Sequence, residues 1–221
     1  MVLKLYGTPE AVGTTLAVAM TLAEKQIPFK LVPVDLQVDA HKTPEFLALQ
    51  PWGQVPVIDE DGFILFESRA ICRYLAQKYE SQGTPLMPAV DDVEGRALFE
   101  QAAAVEISHF HLHAWTIYFE GMGKARKGLE KDQAVWERAV EELSRKLDVY
   151  EEILGKQKYL AGDEFSLVDI FHISFGALLR PAGCDLMKTK GPNIARWWKD
   201  ITSRPSLKNL RLGRPIISTA L

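Results

Sequence analysis

The chain has 221 residues, 47% of them apolar and 25% charged, with a formal net charge of -3. That is ordinary for a globular protein with room for one or two cores, and it argues against a general nucleic-acid binder, which would be basic. No stretch approaches the roughly 18 uncharged apolar residues of a membrane span, and the first residues lack the basic and apolar regions of a signal peptide. The two cysteines, Cys72 and Cys184, stand far apart inside apolar, helix-like segments. They read as buried free thiols of a reducing compartment, so a cytoplasmic protein is expected.

Val2 to Tyr6 reads as a short strand, broken by Gly7-Thr8-Pro9. Thr14 to Lys25 is apolar nearly all round and predicts a buried helix. Phe29 to Asp35 is a second strand, which makes a βαβ unit with the first two strands parallel. Thr43-Pro44-Glu45 carries a cap, a first-turn proline and an acid at the positive end, so a short helix starts there and stops before Pro51 and Gly53. Gln54 to Asp59 and Phe63 to Phe66 are strands joined by an Asp61-Gly62 hairpin turn. Glu67 to Tyr79 is a helix.

The order β-α-β-α-β-β-α is that of a thioredoxin-like domain, expected over residues 1–82. A Gly- and Pro-containing linker follows at 83–90. From 91 to 221 strand signals stop, and an all-helical domain is expected. Its helices cover Asp92 to Gly121, Lys131 to Leu154, Ser166 to Leu179 and Asn193 to Ser203, with a weaker one from Ser206 and an irregular tail after Leu212. Ser166 and Asp169 have the spacing of a capping box.

Three segments narrow the family: Gln50-Pro-Trp-Gly-Gln-Val-Pro56, then Asp61-Gly62, then Leu65-Phe-Glu-Ser-Arg-Ala-Ile71. Together they resemble the glutathione transferase fingerprint, most closely that of the phi class of plants and fungi, and His41-Lys42 and the Ser166 box fit as well. The resemblance implies glutathione as co-substrate and a homodimer; charge, hydropathy and ligand spacing lead to the expectation of no nucleic acid, no membrane and no metal.

Glutathione carries two carboxylates, one ammonium and a backbone able to pair like a strand. The resemblance implies a cis Val55–Pro56 bond, with Val55 offering its N–H and C=O to the cysteinyl part; an ordinary trans proline on an edge strand is the alternative. Ser68 stands at a helix start, which attracts a carboxylate, and Glu67 can face the ammonium; Ser68 as a plain N-cap is the competing reading. His41 and Lys42 suit the glycyl carboxylate, and Gln54 the ligand backbone.

The expected chemistry is attack by the glutathione thiolate. A free thiol has a pKa near ~8.5 and is only ~3% ionised at pH 7, so the site must stabilise the anion. Phi-class proteins place a serine after the first strand and an arginine four residues on. Here those positions hold Ala11 and Thr15. Ala11 has no donor. Thr14, at the start of the same helix, is the candidate catalytic residue, with an N-cap role as the alternative.

His109 and His113 lie four apart, a spacing that can bind zinc, but no further ligand motif completes a site. Their helix is better read as one wall of an apolar pocket. Val12, His111, Trp115, Phe119 and Phe175 are its candidate lining. Two functions compete: conjugation of glutathione to hydrophobic electrophiles, with possible peroxidase side activity, and a weakly catalytic carrier (a ligandin) of hydrophobic small molecules. The missing serine favours the second.

Overall fold

The computed structural model describes residues 2–211; the tail expected after Leu212 lies outside them. Contacts divide the chain into two units. One runs to Leu86 and is rejoined by the segment from Arg204, and the other spans Met87–Ser203.

In the first unit β1 (Leu3–Gly7), β2 (Phe29–Pro33), β3 (Val57–Glu60) and β4 (Phe63–Phe66) form one sheet in the order β2-β1-β3-β4. β1 and β2 pair in parallel across α1 (Thr14–Glu24), as a crossover through a helix requires, while β3 runs antiparallel to β1 and β4. Leu3 and Leu5 are buried and Lys4 between them is exposed, the two-residue period of a strand. α1 is buried from Thr15 to Glu24 and packs against α3 (Ser68–Lys78), which buries Ile71, Cys72, Leu75 and Ala76. α2 (Pro44–Leu47) is capped by the Thr43 hydroxyl, which accepts from the Phe46 N–H. It sets Phe46 with Val34 and Val57 in a second small core. The expected order of elements along the chain, and the parallel pairing of the first two strands, are therefore found. β3 begins at Val57 rather than Gln54; Pro56 has no N–H to give to a ladder.

α11 (Pro205–Arg211) packs on α1. It is latched by Glu24, a buried carboxylate that accepts from Arg204 Nε at 2.7 Å, Arg204 Nη2 at 2.8 Å, Ser206 Oγ at 2.5 Å and Thr84 Oγ1 at 2.6 Å. Burial pushes the Glu24 carboxyl up, but the donors Arg204, Ser206 and Thr84 outweigh it and hold the group below its ordinary value.

The second unit is helical: α4 (Val93–Val105), α5 (Leu112–Tyr118), α6 (Lys124–Arg126), α7 (Gln133–Leu154), α8 (Leu167–Leu179), α9 (Leu186–Thr189) and α10 (Pro192–Thr202). The helix expected over 92–121 runs on to Arg126 and contains two wide, π-type turns, Glu106–His111 and Phe119–Gly123. At its centre Ser166 and Asp169 form the expected capping box. Asp169 also accepts from Trp197 Nε1 at 2.8 Å. Burial pushes the Asp169 carboxyl up to about 6 in spite of these donors. Next to it His172 Nδ1 lies 2.7 Å from the Val168 carbonyl, which can only accept, so Nδ1 carries the proton and Nε2 receives the Tyr150 hydroxyl at 3.1 Å.

Candidate functional site

The sheet register brings the sequence-derived candidates of the first unit to one end of the sheet. Tyr6 pairs with Val57 and Val57 with Phe66, so Gly7, Pro56 and Glu67 come next in adjacent strands. The Val55–Pro56 peptide is cis, as the resemblance implies. Beside it stand the first residues of two helices, α1 and α3.

The loop before α1 is pinned by its own polar groups. Thr8 Oγ1 accepts from the Val12 N–H at 3.0 Å, the Ala11 N–H donates to the Thr8 carbonyl at 2.9 Å, and the Thr8 N–H donates to Thr15 Oγ1 at 3.3 Å. Thr8 and Thr15 are thus scaffolding. Gly13, at φ 60° and ψ -136°, occupies a conformation that strongly favours glycine, and it starts α1 without a side-chain cap. The N–H groups of Gly13, Thr14 and Thr15 have no acceptor among the described residues. Thr14 does not cap the helix. Its Oγ1 donates to the Val55 carbonyl at 3.3 Å, which ties the helix start to the loop before β3.

At α3 the sequence alternative is also resolved: Ser68 is the first helical residue and Glu67 precedes it, without capping it. Glu67 sits at φ 70°. A non-glycine residue held there costs about 1–3 kcal/mol, and such outliers concentrate where a ligand is gripped. Ser68 is buried and Glu67 exposed.

His41 and Lys42 lie against the loop before β3. Lys42 Nζ donates to the carbonyls of Trp52 at 2.8 Å and Gly53 at 3.1 Å, and His41 Nε2 lies 3.8 Å from Asp39 Oδ1. Gly53 has φ 58°, and a Cβ there would lie 2.5 Å from the His41 carbonyl, so glycine is needed for this approach. Gln54 is exposed next to them.

Of the apolar candidates, Val12 belongs to the first unit and the others to the second. The latter form two ring pairs. Phe175 meets the edge of His111 at 5.0 Å, and Trp115 stacks on Phe119 at 5.0 Å with the planes 6° apart. Tyr118 packs on Phe175 at 5.7 Å. His111 Nδ1 lies 3.7 Å from the buried Glu106 carboxylate across the first wide turn. Among the described residues no group of three or more His, Cys, Asp or Glu can hold a metal ion, and no helix is long and apolar enough to cross a membrane.

This fold and this end of the sheet define a thioredoxin-like, glutathione-using protein with an appended helical unit. The family model of the glutathione S-transferase N-terminal domain matches residues 1–77, and that of the C-terminal domain matches residues 105–205. Glutathione S-transferase hmp2 of Hypomyces subiculosus is 44% identical over 92% of this chain and 95% of its own length. The crystal structure of glutathione transferase F7 from Populus trichocarpa superposes with a TM-score of 0.90 at 38% identity, covering 96% of this chain and 99% of that one. Maize glutathione S-transferase I, solved with an atrazine–glutathione conjugate, gives 0.85 at 30% identity over 100% of both chains. The chain belongs to the glutathione S-transferase family, with phi-class (F-type) enzymes as close relatives.

Proposed function

We propose that this enzyme conjugates glutathione to hydrophobic electrophiles. The observation that carries the reading is the pair of helix starts, α1 and α3, that lack side-chain caps on either side of the Val55–Pro56 segment. In this reading the cysteinyl main chain pairs with Val55 beside Pro56. The γ-glutamyl carboxylate rests on the Ser68 hydroxyl and the first turn of α3, where N–H groups attract an anion. Glu67 meets the ammonium, Gln54 bonds the ligand backbone, and His41 and Lys42 meet the glycyl carboxylate. Lys42 has three protons and gives two to carbonyls, which leaves one for the ligand.

Thr14 remains the candidate that activates the thiol. A hydroxyl has one proton to give, and here it goes to the Val55 carbonyl. When the cysteinyl N–H takes that carbonyl, the Thr14 proton turns to the sulfur. The open N–H groups of Gly13 and Thr14 add to the positive field. The thiolate then bonds to the electrophilic carbon, and the leaving group departs with its electron pair. In the helical unit His111, Trp115, Phe119 and Phe175 hold the apolar partner, and Val12 remains the candidate contact from the sheet unit. A residual peroxidase activity on organic hydroperoxides belongs to the same thiolate chemistry. The division of labour follows the domains, with residues 1–82 binding glutathione, 83–90 linking, and the helices from 91 holding the co-substrate. Buried Cys72 and Cys184 support a reducing, cytoplasmic setting. Exposed apolar side chains at Trp52, Val93 and Leu98 support a homodimer.

Ala11 favours a second reading, a carrier that binds hydrophobic molecules and turns over little. Retention on immobilised glutathione and conjugation of chlorodinitrobenzene separate the two. The enzyme reading expects retention, turnover, and a loss of about tenfold or more in kcat/KM for Thr14→Ala, the scale of one hydrogen bond to a charged group. Retention with tight dye binding but no turnover favours the carrier. No retention at all sinks both.

A further inference from the structure

We propose that the exposed face of α5 and α6 is an anion-selecting ledge, so that the preferred apolar partners are flat aromatic molecules carrying a carboxylate or sulfonate. This deepens the co-substrate reading above and rests on it. α5 is bracketed by the two wide turns, Glu106–His111 and Phe119–Gly123; such turns recur at functional sites inside helices. Trp115 is 42% exposed and lies flat on Phe119. A stacked pair left open to water offers a planar surface that a second flat ring can extend.

One cation stands over this surface and a second beside the neighbouring Tyr118 ring. Lys127 Nζ lies 5.9 Å from the centre of the Phe119 ring, and Arg126 Nη1 donates to the Tyr118 hydroxyl at 3.5 Å. Among the described residues neither has a carboxylate within ion-pair distance, whereas nearby Lys124 is taken by Glu120 at 2.8 Å. Tyr118 in turn packs on Phe175, and Phe175 on His111, so the ring next to Arg126 is continuous with the Phe175–His111 pair. On a chain of net charge -3, two cations without a carboxylate partner among the described residues, one at the open stack and one at the adjacent Tyr118, are a local inversion of sign. A ring bearing an acidic group satisfies both features at once, while a neutral ring uses only the stack.

The test compares two electrophiles with the same chemistry, chlorodinitrobenzene and chloronitrobenzoate. In both the glutathione sulfur bonds to the ring carbon that carries chlorine, and chloride leaves with the electron pair. The readout is the ratio of kcat/KM for the acidic over the neutral arene, in the full chain and in the double variant Arg126→Gln/Lys127→Gln. The ratio is expected to fall about fivefold in the variant, the scale of two exposed charge contacts, and to fall in the parent as salt screens them. Titration with anilinonaphthalene sulfonate and its uncharged phenylnaphthylamine counterpart reads the same preference without chemistry, and Trp115→Ala is expected to weaken both dyes. A ratio unchanged by the double variant and by salt overturns the ledge. Absence of turnover with a charge-dependent dye preference intact counts against the conjugation reading and leaves the ledge standing.

Discussion

The long helices of the two units start in opposite ways, while the short α2 of the sheet unit is capped by Thr43. In the helical unit α4 is capped by Asp92, α7 by Asp132 and α8 by the Ser166–Asp169 box, and the Glu151 carboxylate of α7 accepts from the Asn193 and Ile194 N–H groups that open α10. In the sheet unit α1 follows Gly13 and α3 follows Glu67, and neither has a side-chain cap. A cap is worth about 1 kcal/mol, so the sheet unit forgoes stability at the two places where its candidate site lies. The helical unit spends its polar groups on its own fold, while the sheet unit keeps some of them open.

The largest expected effect is inside the helical unit. Trp197→Ala removes a wholly buried ring and the indole donor to Asp169, and chemical denaturation is expected to show a loss of about 3–5 kcal/mol. A loss below about 1 kcal/mol would mean that the polar centre does not hold this unit together.

Acid separates the units next, because one buried carboxyl in each, Glu24 and Asp169, shifts in the opposite direction to the other. Asp169 is pushed up from 3.8 to about 6, so the folded state holds a proton that the unfolded chain has released. Stability therefore falls as pH rises through that window, by at most about 1.4 kcal/mol per pH unit, and Asp169→Asn is expected to flatten it. Glu24 is held below 4.5. Its contribution is present above that value and is lost as pH falls through the folded pKa, a loss that Glu24→Gln is expected to abolish. Urea titrations of both variants and the parent across the acid range check the two signs.

The smallest effect tests the capping contrast itself. Asp132→Ala is expected to cost about 1 kcal/mol of stability and to leave glutathione retention alone. Ser68→Ala is expected to do the reverse, weakening glutathione by about tenfold, the scale of a hydrogen bond to a charged group, with unfolding nearly unchanged. If both variants lose stability and neither loses ligand, the helix starts of the sheet unit are ordinary.

Much of the sheet unit was legible because glycine, proline and capping residues punctuate it. Pro51, Gly53 and Pro56 fix the loop before β3, Asp61-Gly62 the hairpin, and Thr43-Pro44 the start of α2. The Ser166 box was legible for the same reason, since both partners lie within one turn. What escaped the sequence depends on partners far along the chain. The Thr14 hydroxyl finds the Val55 carbonyl 41 residues away, and the exposed Lys42 gives protons to the Trp52 and Gly53 carbonyls, 10 and 11 residues on. The wide turns of the long helix were hidden for another reason: no residue type marks an i→i+5 turn, and the helix continues through both. Glu67 in a left-handed conformation carried no signal either, because an acid before a helix is common in any case.

The latch between Glu24 and Arg204 spans 180 positions of sequence. On the ribosome, the sheet and α1 emerge long before the guanidinium that completes them, so a carboxylate destined for burial must wait in solvent while the whole helical unit is made. A gene fragment cut at the linker would therefore yield a sheet unit with that acid uncompensated. A chimaera that exchanges helical units between relatives should carry Arg204 and Ser206 along with the partner they serve.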